Sequence, residues 1–319
     1  MKKQFWGLTW KLTLPAGVLL LAASLSVQAA SSFDLRSKRG SGNSAEYAWD
    51  GTVLTVKDRA NIIITGAVTD GTRIEVAAGA TAAITLNGVS ISGLKTGSRL
   101  GGTVDYFTHK KTFADIGLGP NQSPLALNSG AKVKLKIQGT NTLTAGDCAN
   151  YKASVCAGIT VPDSAALDID GTDALTATGG WRGAGIGGVN RGNGGAGGAI
   201  TIRGGTVTAN AGRFGGSGIG SGSGDSITIR SGTVTANGSE DGGPGIGCYG
   251  GTITISGGTV VVHGGGISGQ GIGGAVGGSI GAGNRMDSIS DGKDLMITIS
   301  GGTVTAYGSG EGAGIGGTI

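Results

Sequence analysis

The chain has 319 residues, 70 of them glycine, with 4% aromatic residues, 14% charged residues and a formal charge of +4. Glycine at about three times ordinary usage, with no Gly-X-Y period and few prolines, excludes collagen. Glycine at that density penalises helices, and regularly recurring Ile and Val exclude a disordered tail. A β architecture of short strands and tight corners is left.

Residues 1–29 read as a signal peptide. Lys2 and Lys3 precede an apolar run from Leu12 to Leu25, and Val27-Gln28-Ala29 supplies small residues for a signal peptidase. Cleavage removes three lysines and leaves a formal charge of +1, so nothing points to a nucleic-acid partner. No later stretch reaches the ~18 apolar residues of a membrane helix. The mature chain is expected to be secreted, at the cell surface or in the medium, with the periplasm as the other address.

Residues 30–80 carry the strand-like runs DGTVLTV and NIIITGAV and read as an N-terminal cap with the first coils. An insertion at 99–122 holds the densest aromatic and basic cluster of the mature chain. Its Tyr106, Phe107, His109, Lys110, Lys111 and Phe113 read either as a sugar-stacking, acid-attracting loop or as a lateral cap. Cys148 and Cys156 then flank a polar loop, DCANYKASVC. In an oxidising compartment that spacing reads as a local disulfide, with Cys248 left free in a small-residue corner.

Repeats organise the rest. ITIRGGTVTA (200–209), ITIRSGTVTA (227–236), ITISGGTVVV (253–262) and ITISGGTVTA (297–306) alternate with Gly-Ile-Gly motifs centred on Ile186, Ile219, Ile246, Ile272 and Ile315. Degenerate copies begin at Ile84, Leu135 and Leu167, and the last coil carries an insertion near 277–294. A period of 26–27 residues made of three short strands predicts a right-handed parallel β-helix over 81–319. Alternation points Ile200, Ile202, Val207, Ala209 and Ile219 inward. The sequence stops at Thr318-Ile319, where another ITI strand would begin, and an open edge there would let one copy stack on another.

Outward residues should form ladders. One runs Thr85, Lys136, Asp168, Thr201, Thr228, Thr254, Thr298; its neighbour runs Asn87, Gln138, Asp170, Arg203, Arg230, Ser256, Ser300. Lys136 would then meet Asp168, and Asp170 would meet Arg203. These read either as cross-strand charge pairs or as a polar face for sugar hydroxyls and uronate carboxylates, with Arg203 and Arg230 suited to carboxylate contact. Trp181 reads as a sugar platform or as a corner plug. A calcium-dependent lyase would need converging carboxylates and a base. Asp163, Asp168 and Asp170 with Arg203 are the only candidates, so catalysis is the lesser reading.

The order ITLNGVSIS, LKIQGTNTLTA, AGITVPDSAALDIDG, WRGAGIGG and ITIRGGTVTA resembles bacterial exported proteins with GAGIGG repeats. These are described as carbohydrate-binding domain proteins of the pectate-lyase-like β-helix type. The likeness covers residues 80–319 and implies the fold and a carbohydrate partner; the 99–122 segment departs from it. The expected function is an exported β-helix that binds acidic polysaccharide or acts in adhesion, with a self-associating structural rod as the rival.

Overall fold

The computed structural model describes residues 30–94, 123–146, 156–188, 198–213, 215–266, 269–274, 295–310 and 312–316. The signal peptide, the 99–122 cluster with Tyr106, Lys110 and Lys111, Cys148 and the 277–294 insertion lie outside the described residues. Within them every regular element is a β-strand, 21 in all. The all-β expectation holds.

The strands form three ladders of parallel neighbours arranged round an axis. The first passes through Asn61–Val68, Thr81–Ile91, Lys132–Gln138, Ala166–Gly171, Ala199–Ile202 and Ile219–Ile229 to Ile246–His263 and Leu295–Tyr307. The second passes through Thr140–Thr144, Ala174–Thr178, Thr206–Asn210 and Thr233–Asn237, then through the later parts of the same two long strands. The third joins Val53–Val56, Arg73–Val76, Leu125–Leu127, Ile159–Thr160, Ile186–Gly187 and the Gly-Ile-Gly segments. A strand pairs mainly with the strands one coil away.

Register follows the inward side chains. Ile200, Ile227, Ile253 and Ile297 are paired in one file, and Val207, Val234, Val260 and Val304 in another. β-branched residues suit a pleated surface that is packed on one side. Their outward neighbours are half-buried or exposed, as alternation requires. Burying one such side chain contributes roughly 1.5–3 kcal/mol.

Glycine serves two separate needs. Gly205, Gly232, Gly258 and Gly302 turn the corner between the first and second ladders with φ of 78°, 90°, 86° and 83°, which a Cβ disfavours. Gly218 has a different reason. A Cβ there would lie 2.6 Å from the Gly245 carbonyl oxygen and 2.7 Å from the Asn237 nitrogen. The third ladder runs so close to the end of the second that only bare backbone fits.

Two antiparallel hairpins join the first described rungs, Ser31–Asp34 with Arg39–Ser41 and Tyr47–Trp49 with Val53–Val56. Phe33 packs between Tyr47 and Trp49, with ring centroids 5.7 and 5.3 Å away. Lys38 lies over the Trp49 ring and pairs with Asp70 at 3.0 Å. Asp70 also accepts from the Thr72 hydroxyl and amide, at 2.7 and 3.2 Å. The Thr72 hydroxyl first, and Lys38 second, lower its pKa to about 2.

Two expectations follow. Ile229→Asp puts an unpaired charge into the core and should lower stability by several kcal/mol, read by chemical denaturation, while Gly218→Ala should cost about 1–3 kcal/mol through overpacking. Asp70 has a depressed folded pKa, so its contribution is complete above the ordinary carboxyl value of ~3.9 and fades as pH falls towards 2. Trp49 fluorescence in a Trp181→Phe background should report loosening of the hairpin end over that window. Asp70→Asn should remove this pH dependence.

Candidate functional site

The outer faces of the first two ladders differ in chemistry. On the first, Lys132, Lys134 and Lys136 are exposed, Asp168 and Asp170 follow one rung on, and Arg203 and Arg230 follow those. This is a charged strip with more cations than carboxylates. The pairing differs from that expected of the sequence. Lys136 stands opposite Asp170, and Asp168 stands opposite Lys134 and Thr201. Arg203 does not meet Asp170; its Nε donates to both oxygens of Asp168, at 2.7 and 2.9 Å. Asp170 instead accepts from the Gly171 amide at 2.7 Å.

The cause is a two-residue shift between coils that look alike. LKIQGTNTLTA and LDIDGTDALTA match by identity from Leu135 and Leu167, but Leu135 pairs with Ile169. A shift of two keeps every inward side chain inward, so apolar patterning cannot detect it. Polar groups decide. Asn141 is fully buried, accepts from the Val89 amide at 2.9 Å, and donates to the Gln138, Gly139 and Ala174 carbonyls. Asp173 accepts from the Gly139 amide at 2.9 Å.

The second ladder presents a face without charge. Six successive rungs, starting at Thr140, Ala174, Thr206, Thr233, Thr259 and Thr303, each turn three residues outward. Twelve of these eighteen positions are threonine and none is Asp, Glu, Lys or Arg. Along one border run Thr178, Asn210, Asn237, His263 and Tyr307, paired rung to rung. Asn237 Nδ2 donates to Asn210 Oδ1 at 2.7 Å, and Asn210 Nδ2 donates to Thr178 Oγ1 at 3.4 Å. His263 and Tyr307 stack with centroids 4.9 Å apart and planes within 10°.

A groove of about 530 Å³ opens beside this column. Asn210, Arg213, Asn237 and Glu240 line it over a glycine floor that includes Gly180 and Gly212. At Gly212 a Cβ would fall on the Gly180 carbonyl, so this part of the floor is backbone packed directly on backbone. The repeat pattern ends at TVTA or TVVV and leaves this border outside it. The next residue, in TVTAN, TVTAN, TVVVH and TVTAY, carries the signal.

Trp181 is half-buried at the corner after Thr178. Cys156 is disulfide-bonded, and its Sγ lies 3.1 Å from the Trp181 carbonyl oxygen. That is a packing contact, since a disulfide sulfur has no proton to donate. On the backbone, Cys248 pairs with Gly274. Among the described residues no three His, Cys, Asp or Glu side chains gather as a cation site, and no helix is long and apolar enough to cross a membrane. Asp163 is occupied locally, accepting from the Ser164 amide at 2.8 Å.

The Arg203–Asp168 pair is partly exposed, at 43% and 31% of the side chains. Solvent screens such pairs, so a double-mutant cycle with Arg203→Ala and Asp168→Ala should give a coupling below about 1 kcal/mol in denaturation. A larger coupling would make the strip a structural element.

A family model described as a beta helix repeat matches residues 200–223, 227–252 and 297–319. The three spans begin at Ile200, Ile227 and Ile297, which share one inward file in the first ladder. Among curated proteins and solved structures nothing matches the chain.

Proposed function

We propose that this chain is an exported, non-catalytic, right-handed parallel β-helix that binds carbohydrate at a cell surface or in a matrix. The uncharged threonine face with its groove carries this reading. A rigid surface with hydroxyl, amide and methyl groups repeated at the ~4.8 Å strand spacing suits an extended, hydroxylated polymer. The beta helix repeat match supports the coil, and right-handedness follows from the hand that parallel crossovers take. Export rests on the leader-like pattern of residues 1–29. Pairing of Cys156 with Cys148 belongs to the same proposal and fits an oxidising compartment.

The absence of catalysis rests on how the acids are engaged. Asp168 is held by Arg203 and Asp170 by a backbone amide, and among the described residues no three acidic, His or Cys side chains converge on a cation site. A second reading, a rod that self-associates, has one specific observation in its favour. Met296, Ile299, Tyr307 and Ile315, all on the last coil described, are 60%, 42%, 53% and 49% exposed.

Affinity electrophoresis of the secreted protein tests the two readings. Retardation by gels containing β-glucan, xylan, pectin or alginate is the expected outcome. No retardation by any polymer, with sedimentation that rises with concentration, would replace binding by the rod. Ultraviolet-absorbing unsaturated sugars released from pectin or alginate would instead reveal a lyase.

A further inference from the structure

We infer that the polysaccharide is uncharged and is read by the column Thr178–Asn210–Asn237–His263–Tyr307, a statement that rests on the carbohydrate reading above. The first support is charge. A polyanion has a better partner on the same molecule, the lysine and arginine strip of the first ladder. The second ladder offers no cation on its outer face, and the groove at its border sets one arginine, Arg213, against one glutamate, Glu240.

The second support is hydrogen-bond capacity. An amide side chain has two N–H donors and an oxygen with two lone pairs. Asn210 uses one donor on Thr178 and one lone pair on Asn237; Asn237 uses one donor on Asn210. Each therefore keeps an N–H and a carbonyl lone pair that the amide ladder does not use, on residues that both line the groove. Neighbouring hydroxyls on a sugar ring donate and accept in the same way. A carboxylate only accepts, so at its own position it answers the N–H and not the carbonyl, whereas a hydroxyl answers both.

The third support is order. The amide chain ties Asn210 and Asn237 to their rungs and both are half-buried, so their orientation is set before a ligand arrives. His263 and Tyr307 cover one face of each other, which leaves the imidazole nitrogens, the phenol hydroxyl and the far face of the exposed Tyr307 ring able to meet a ligand. The column runs along the axis at one polar group per rung. A polymer lying parallel to the axis would meet each in turn.

The experiment compares gels with an uncharged β-glucan or xylan and gels with alginate or pectin, at low salt and at roughly 1 M salt, where exposed charges are screened beyond about 3 Å. The expected result is retardation by the uncharged polymer that salt leaves unchanged. Asn210→Ala with Asn237→Ala should weaken it at least tenfold, with melting checked in parallel. Thr233→Glu changes an exposed position on the same face and removes no packing, and it should also weaken binding. Retardation by acidic polymers alone, abolished by salt and by Arg203→Ala with Arg230→Ala, overturns this inference and leaves carbohydrate binding standing. Uncharged-polymer binding that survives every second-ladder variant overturns it too. No retardation by either class overturns both.

Discussion

Each coil of this molecule is unfinished on its own, with apolar side chains facing the axis and backbone donors and acceptors facing its neighbours. Both needs are met only by another coil in register. Ile255 and Ile299 make the point, because they are paired residues in the same inward file. Ile255 has a neighbouring rung on either side and is fully buried, while Ile299 lies on the last coil described and is 42% exposed. Burial is therefore a property of the stack, and a lesion in one coil also uncovers its neighbours.

That constraint governs the inside and leaves the outside free. Inward files must keep apolar residues, mainly Ile, Val, Leu and Ala, and the corner glycines must stay bare where backbone meets backbone, as at Gly218 and Gly212. Outward positions answer to no such demand beyond strand propensity, which threonine satisfies as well as valine does. The two outer faces could therefore diverge on one scaffold. One gathers lysine, aspartate and arginine; the other keeps six rungs clear of charge. Chemistry, more than packing, separates them.

The sequence shows the inward files well because their spacing is repeated and their residue types are narrow. Ile200, Ile227, Ile253 and Ile297 could be aligned by eye, and the structure pairs them. The charged strip was legible in composition but not in pairing. Two residues of slip between Leu135 and Leu167 change no inward side chain, so the decision falls to Asn141 and Asp173, whose hydrogen bonds exist only once three coils are stacked. The groove is hidden for a related reason. Asn210 and Asn237 look like ordinary turn residues, and His263 and Tyr307 break the repeat, yet register makes them one column.

Rigidity then bears on what such a column can do. Binding a flexible polymer requires ordering it, and any ordering of the protein adds to that loss. Here the protein's share is small, because the strands are paired on both sides and the amides are already tied to Thr178 and to each other. Individual contacts can be weak and still accumulate, since a polymer that meets one rung is held near the next. On the proposed reading, affinity grows with the number of rungs engaged rather than with the strength of any one contact. A face that repeats a modest polar group along a stiff axis is suited to long, repetitive ligands and poorly suited to small ones.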